Sequence, residues 1–358
     1  MAGSNPSYFA PLFDGPLDIV GDVHGEYEVF ERLLTELGYD AEGRSRDGRR
    51  LVFLGDLIDR GPDSPAVVDA VMAMVDRGHA QCIMGNHELN ILLGRPMPGN
   101  GWFIQPNAVE KPGEFDSARV DPTKIDDYLR FFASLPLVLE NESLRLVHAC
   151  WHGPSVASLK HENNKVRPIT DLYRQYEIEV RKKLHEAELA HMVEQETRFY
   201  SVALEDPEWS AEVLPAHAEA EVIGQMANPI RVLTTGAMNI SEKPYFAMGT
   251  WRMAERSRWW DDYEDDIPVI IGHCWRRFDS AAKRISGVHG RDVFEGIPSH
   301  AWMGKNQNVY CVDYSVGQLH KERKLDAASA QYHGKLAALR YPEWEVHHDD
   351  GSVIPISS

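Results

Sequence analysis

The chain has little cysteine, no long apolar run and a shortage of basic residues. Its four cysteines lie far apart among 358 residues with no Cys-x-x-Cys pair, which argues against a disulfide framework or a structural zinc knuckle. No stretch approaches ~20 apolar residues, and the N-terminus has no basic segment before an apolar run, so we expect neither a transmembrane helix nor a signal peptide. A cytoplasmic location is the resulting expectation.

The charge balance limits the partners that the chain can bind. Thirty-seven Lys and Arg against fifty-five Asp and Glu give a net charge of -18. A surface of this sign does not attract phosphate backbones or anionic lipids, so we expect no nucleic-acid partner and no membrane partner. An anionic substrate would need a local positive site.

The first hundred residues alternate between short apolar runs and segments with helical periodicity. Apolar runs at 17–20, 51–54 and 82–84 read as strands, and segments at 29–37 and 64–76 read as helices. This order predicts two right-handed βαβ units and a parallel sheet covered by helices. Hydrophobic residues make up 43% of the chain, which suits one large α/β domain over residues 1–358.

Further strands are expected at 144–147, 268–271, 308–312 and 335–339, and a helix at about 125–134. A long segment separates the first two of these strands, and we interpret about 155–245 as a mainly helical insertion that covers the site. Within it, residues 171–205 read as charged and helical. The expected apolar side consists of Leu184, Leu189, Met192 and Val193.

Most of the predicted strands end in a side chain that can bind a metal ion. These side chains are Asp22, His24, Asp56, Asn86, His148 and His273. Because the carboxyl ends of adjacent parallel strands lie side by side, we expect the six to converge on one point. Oxygen and imidazole ligands without thiolate suit manganese, iron or zinc, and two such ions form a clamp for displacement at phosphorus.

The ordered motifs resemble the phosphoprotein phosphatase family of calcineurin-like metallophosphoesterases, with the bacterial members as the nearest likeness. The motifs are Gly21-Asp22-Val23-His24-Gly25, Gly55-Asp56-Leu57-Ile58-Asp59-Arg60-Gly61, Gly85-Asn86-His87-Glu88, Val147-His148 and Gly272-His273. The resemblance implies an α/β sandwich of central β-sheets flanked by helices. It also implies two divalent metal ions, with manganese preferred over iron or zinc.

The resemblance also implies a role for each motif residue. Asp22, His24 and Asp56 would hold the first metal ion. Asp56, Asn86, His148 and His273 would hold the second, with Asn86 also touching the substrate. Arg60 would grip the phosphoryl oxygens, His87 would protonate the leaving oxygen, and Asp59 would orient His87.

Two of these assignments have rivals in the sequence. His152 competes with His148 as a ligand, and we prefer His148 because it directly ends the apolar strand. Family members often carry a second phosphate-binding arginine, for which we choose Arg252, with Arg256 and Arg258 as alternatives.

The resemblance implies a metal-dependent phosphomonoester hydrolase acting on a phosphorylated protein or small molecule, including phosphoserine, phosphothreonine or phosphotyrosine. A metal-bound hydroxide would attack phosphorus directly. One alternative is a dinucleoside polyphosphate hydrolase of the diadenosine tetraphosphate type. A second is a non-catalytic metal-binding module, which the retention of Asp59, Arg60 and His87 disfavours.

Overall fold

The computed structural model describes residues 7–105, 107–111, 114–163, 167–247, 249–278, 291–325 and 332–357. The strands are β1 Phe9–Pro11, β2 Leu17–Val20, β3 Arg50–Phe53, β4 Ala80–Cys82, β5 Val138–Glu140, β6 Arg145–Val147, β7 Met238–Ala247, β8 Thr250–Arg256, β9 Val269–Ile271, β10 Val309–Cys311, β11 Ala337–Tyr341, β12 Glu345–His348 and β13 Val353–Pro355.

The α-helices are α1 Tyr27–Leu37, α2 Ser64–Asp76, α3 Asn86–Leu92, α4 Ile125–Ser134, α5 Gly153–Glu162, α6 Ile169–Glu186, α7 Leu189–Glu205, α8 Pro215–Met226, α9 Pro229–Thr235 and α10 Leu319–Leu325. Short 3-10 helices span Pro122–Lys124, Trp259–Asp262 and Val316–Gln318.

Two mixed β-sheets form the centre of the fold. One has the order β13-β12-β11-β2-β3-β4, and the other has the order β1-β5-β6-β9-β10. The pairs β2–β3 and β3–β4 are parallel, so the two predicted βαβ units are confirmed. The strand predicted at 335–339 is present as β11, which pairs antiparallel with β2. The fold is therefore the predicted α/β arrangement of central sheets flanked by helices.

The alternation of side chains along each strand explains why the sheets stack. Ile19 and Val52 point into one apolar cluster together with Leu146 and Ile270 of the other sheet. Their neighbours in sequence point the opposite way, into a second cluster that includes α1 and α2. Because successive strand residues face opposite sides, each sheet buries one face against its partner and the other beneath helices.

The caps of α1 and α2 follow from their sequences. The α1 helix buries Val29, Phe30, Leu33, Leu34 and Leu37 on one side. It ends at Gly38, whose left-handed φ of 84° costs glycine little. The α2 helix begins after Asp63, whose side chain accepts a hydrogen bond from the backbone of Ala66 at 3.0 Å.

The ligand-bearing strands are divided between the two sheets. His148 and His273 follow β6 and β9, which pair with each other in the second sheet. Short apolar runs carry no information about which of two sheets a strand joins. The ligands therefore meet at one end of a sandwich.

The segment between β6 and β9 contains α5 to α9 and the antiparallel hairpin β7–β8. The helical stretch predicted at 171–205 is two helices, α6 and α7, separated at Glu188, which has a φ of 55°. Its predicted apolar side is only partly correct, since Leu189 is buried but Met192 is 47% exposed. That this segment covers the active site stays a prediction. Among the described helices, none combines the length and the apolarity that crossing a bilayer requires.

Candidate metal centre

The six predicted ligands lie together where the two sheets meet. His24 Nε2 is 3.7 Å from Asp22 Oδ2 and 3.9 Å from Asp56 Oδ2. His148 Nε2 is 3.4 Å from Asp56 Oδ1 and 3.2 Å from Asn86 Oδ1. The rings of His148 and His273 are 5.1 Å apart. The side chain of Asp56 thus faces ligands from both sheets.

Among the residues that the structure describes, two triads have ligand atoms close enough to share an ion. One consists of His24, Asp56 and His87, and the other of Asp56, His148 and His273. Within each triad, the candidate ligand atoms lie within 4.8 Å of one another. Asp56 belongs to both triads, as its predicted bridging position requires. The structure adds His87 to the first group, where the sequence had placed Asp22.

Backbone carbonyls fix the orientation of two imidazoles. His24 Nδ1 donates to the Ile58 carbonyl oxygen at 3.0 Å, and His148 Nδ1 donates to the Leu54 carbonyl oxygen at 2.6 Å. In both rings the Nδ1 bond fixes the orientation, so that Nε2 faces the ligand cluster around Asp56. Histidines that bind metal ions are commonly held in this way.

The charge state of the cluster also fits a divalent cation. Burial, followed by the charge of Arg60, lowers the pKa of His24 well below its usual value. Burial, followed by the charge of Arg256, does the same to the pKa of His273. At His148 burial acts in the same direction, but the Asp56 carboxylate outweighs it and raises the pKa to about 10, so this ring must release a proton to bind an ion. Imidazoles and buried carboxylates without thiolate are a donor set that manganese, iron or zinc accepts, and the set does not choose among them.

The backbone at the site is strained and closely packed. His24, Asp56, Asp59, Arg60 and His273 all have positive φ, between 49° and 74°. Such conformations cost non-glycine residues energy and concentrate at functional sites. Two glycines are required by space, because a Cβ on Gly85 would lie 2.2 Å from Asp56 Oδ1 and one on Gly272 would lie 2.3 Å from Asp22 Oδ1.

Glu88 holds the turn that carries Asp56. Its buried carboxylate accepts backbone hydrogen bonds from Asp56 at 2.9 Å, Leu57 at 2.8 Å and Gly85 at 3.0 Å. Burial and the neighbouring charge of Asp56 raise the pKa of Glu88 to about 7. The sequence analysis assigned Glu88 no role. Its role could have been predicted from the sequence. A glutamate three residues after the N-cap position of a helix has the spacing of a capping box.

The predicted acid His87 is held by a chain of hydrogen bonds. His87 Nδ1 donates to Asp59 Oδ2 at 2.5 Å, which places Asp59 where the sequence analysis expected it. Trp102 Nε1 donates to the other oxygen of Asp59 at 2.6 Å. Trp102 was missed because it lies in an irregular loop with no periodicity to identify it.

Two arginines reach the ligand cluster. The Arg60 guanidinium donates to His24 Nε2 at 2.5 Å and to His87 Nε2 at 3.2 Å. The Arg256 guanidinium donates to His273 Nε2 at 2.8 Å. Arg60 therefore lies where the sequence analysis expected it, and Arg256 supplies a second guanidinium at the opposite end of the cluster.

The preferred second arginine, Arg252, does not reach the ligands. Its nearest acidic partner is Glu221 of α8, at 3.8 Å, and Arg258 pairs with Asp261 at 3.3 Å. The alternative Arg256 replaces Arg252 because it ends β8 beside His273. His152 lies apart from the ligands as well, with its Nδ1 bonded to Ser155 Oγ at 2.8 Å, and His148 occupies the ligand position.

One protein family and several known proteins are similar to this chain. A family model described as calcineurin-like phosphoesterase matches residues 15–198, about half of the chain. The asymmetrical bis(5'-nucleosyl)-tetraphosphatase PrpE of Geobacillus thermodenitrificans is 47% identical over 74 residues, covering 20% of this chain and 30% of that protein. The protein of the same name from Anoxybacillus flavithermus is 31% identical over 159 residues, covering 42% and 62%. The chain thus matches less than two thirds of the length of either relative.

A solved structure is also similar. The cold-active protein-tyrosine phosphatase of a psychrophilic Shewanella species has 13% sequence identity and a TM-score of 0.44, with coverage of 98% of this chain and 82% of that one. At this level of similarity, we draw no argument about function from it.

Replacing Asp56 by Asn tests its bridging position. The change removes the negative charge between two cations, so we expect the metal content to fall from two ions per chain to one or fewer. Elemental analysis of the purified protein measures this directly. The matched control is Asp116→Asn, which neutralises an exposed carboxylate, and it should keep the wild-type content. Two retained ions in the Asp56→Asn variant would contradict the bridging assignment.

Proposed function

This chain belongs to the calcineurin-like phosphoesterase family, and we propose that it hydrolyses phosphate esters or anhydrides at two divalent metal ions held around Asp56. The observation that carries the proposal is the combination of the ligand cluster with Arg60, Arg256 and the His87–Asp59 pair. A module that only bound metal ions would not need Arg60, Arg256 or Asp59, because none of the three belongs to the candidate ligand triads.

The two guanidiniums supply the local positive charge that an anionic substrate needs in this acidic protein. When bound, the ions would neutralise phosphoryl charge and lower the pKa of a water molecule. Arg60 and Arg256 flank the cluster at His24 and at His273, so each can donate to an oxygen of the same phosphoryl group. A guanidinium suits this task because its planar fork donates two parallel hydrogen bonds and stays charged.

His87 is placed to protonate the leaving oxygen. Its Nδ1 proton is committed to Asp59, and its Nε2 lies beside the Arg60 guanidinium, where the phosphoryl group would bind. The Asp59 carboxylate, held in turn by Trp102, fixes the ring so that Nε2 faces the position where the phosphoryl group would bind.

Two substrate classes remain from the sequence analysis. Phosphomonoesters, including phosphorylated proteins, were the first prediction. The relatives named as bis(5'-nucleosyl)-tetraphosphatases favour the alternative, and we therefore propose a dinucleoside polyphosphate as the preferred substrate. Phosphomonoesters are the second candidate, since the same site can attack either.

A substrate panel separates the two candidates. After reconstitution with a single metal, we expect kcat/KM for diadenosine tetraphosphate to exceed that for phosphoserine and phosphotyrosine peptides at least tenfold. Chromatography of the products also gives the position of cleavage. One monophosphate with one triphosphate indicates asymmetrical attack, and two diphosphates indicate symmetrical attack. A clear preference for the phosphopeptides would instead support the first prediction, a phosphomonoester substrate.

His87→Asn tests the acid role. A general acid matters most for a basic leaving oxygen, so the loss should be about 10²- to 10⁴-fold on an alkyl phosphate and distinctly smaller on 4-nitrophenyl phosphate. Arg60→Ala serves as the comparison and should reduce both rates alike, because the guanidinium contacts the transferred group. Metal content must be verified in both variants. Equal losses for His87→Asn on both esters would remove His87 from this role.

Arg256→Ala and Arg252→Ala test the corrected assignment of the second arginine. Both residues lie on β8, which makes them a matched pair. We expect Arg256→Ala to lower kcat/KM by roughly 10²-fold, the usual scale for losing a donor to a developing oxyanion, and Arg252→Ala to change it less than about threefold. Steady-state kinetics with verified metal content decide this. A larger loss of kcat/KM in Arg252→Ala than in Arg256→Ala would support Arg252 as the second phosphate-binding arginine.

A further inference from the structure

The described residues 315–325 begin a segment that packs directly against the metal centre. Tyr314 and Ser315, at its start, both form β-bridges with Lys335. Near its start, Gly317 touches the site: an added Cβ would lie 2.6 Å from His24 Cδ2 and 2.7 Å from an Arg60 guanidinium nitrogen. The α10 helix follows immediately.

Contacts on several sides hold α10 in place. Arg323 donates to both carboxylate oxygens of Glu26, at 2.8 and 2.6 Å. His320 Nδ1 donates to the Gly317 carbonyl oxygen at 2.8 Å. The His320 ring packs on Phe115 at 4.8 Å, and Phe115 also lines an open cavity of about 230 Å³. The helix is therefore a fixed wall of the site with open space beside it.

Lys321 is the basic residue of α10 that these contacts leave available. It lies four residues after Gly317, about one helical turn or roughly 5–6 Å along the helix. Its side chain is half-buried and forms no hydrogen bond or ion pair within the described ranges. By contrast, Arg323 is paired with Glu26, and the ammonium of Lys324 donates to the Glu114 carbonyl oxygen.

The charges around Lys321 indicate what it binds. Burial, followed by repulsion from Arg60, lowers the pKa of the Lys321 ammonium, and the attraction of Glu114 is the smaller effect. Residues four apart lie on the same side of a helix, so Lys321 lies on the side that continues from Gly317, which touches Arg60, in a protein whose net charge is -18. An anion between Lys321 and Arg60 would relieve this repulsion and satisfy both donors.

We infer that Lys321 binds a phosphate group of the substrate other than the one that Arg60 holds. This inference rests on the proposed function and narrows its substrate class to compounds with a chain of phosphates. Consecutive phosphoryl groups share a bridging oxygen, so a chain that places one group at Arg60 has a second group close by, and the inference places that second group on the α10 side. A phosphomonoester has no group for this position.

Binding of inorganic tripolyphosphate and of inorganic phosphate tests the inference without requiring turnover. Calorimetry uses the full chain loaded with metal ions, with free metal held constant because tripolyphosphate is a chelator. Wild-type protein should bind tripolyphosphate more tightly than phosphate. In Lys321→Met, which keeps side-chain length but removes the charge, the ratio of the two affinities should fall about tenfold.

Two further variants serve as controls. Lys324→Met changes the neighbouring lysine of the same helix and should alter the ratio less than about twofold, whereas Lys321→Arg keeps the charge and should stay within about threefold of wild type. Thermal unfolding verifies that each variant is folded. Equal weakening of both anions in Lys321→Met, an unchanged ratio, an equal effect in Lys324→Met, or wild-type protein that does not prefer tripolyphosphate would each overturn the inference.

Hydrolysis of 4-nitrophenyl phosphate by wild-type protein separates the two possible failures. If this ester is cleaved while Lys321→Met leaves the affinity ratio unchanged, the phosphoesterase proposal stands and only the role of Lys321 is lost. If no phosphate ester or anhydride is cleaved with both metal ions bound, the proposed function fails. The affinity ratio still decides then whether Lys321 contacts a second phosphate.

Discussion

The position of the Asp56 carboxylate is the constraint on which the arrangement of the site depends. One of its oxygens faces His148 of the second sheet, at 3.4 Å, and the other faces His24 and His87 of the first, at 3.9 and 3.8 Å. A buried carboxylate is costly unless it is paired or hydrogen-bonded. The structure compensates for that cost by bringing the ends of strands from both sheets to the same carboxylate. The geometry of the site therefore depends on how the two sheets stack.

That concentration of polar groups explains the unusual local backbone. Short turns must direct side chains of several types at a single point, and left-handed φ at five site residues is the conformational result. The surroundings hold these turns rigidly. Glu88 binds three backbone N–H groups near Asp56, and Gly85 and Gly272 leave room that no other residue would leave. The strain is thus balanced by hydrogen bonds and close packing outside the ligand set.

The sequence predicted the site residues that directly follow a recognisable apolar strand. It did not predict contacts that depend on how one strand is aligned with its neighbour. The Gly-Asp and Gly-Asn pairs after β2, β3 and β4 could be located because apolar runs end at them and the spacing suits βαβ units. The choice between Arg252 and Arg256 could not be made in that way, since both lie on the same strand, β8. Which of them reaches His273 depends on how far the hairpin extends along the site, and this hairpin contains an irregularity in register between Ile240 and Tyr245.

The sheet to which β6 and β9 belong was equally inaccessible from sequence. Both are three-residue strands with fully or largely buried side chains, and such short runs look alike in either sheet. Trp102 and Lys321 illustrate a related limit. Both lie in segments without sheet periodicity, and the contact of Trp102 with Asp59 becomes visible only in the assembled fold.

The distance along the chain between the ligands has a consequence for biosynthesis. The backbone of His273 donates to the carboxylate of Asp22 at 3.0 Å across a separation of 251 residues. At roughly 5–20 residues per second, a ribosome needs about 10 to 50 s to add the residues that separate these two groups. During that interval, the growing chain contains the acidic half of the site without the last histidine. The triad of Asp56, His148 and His273 is therefore incomplete until His273, which follows β9, has been added, whereas the triad of His24, Asp56 and His87 lies within the first hundred residues to be synthesised.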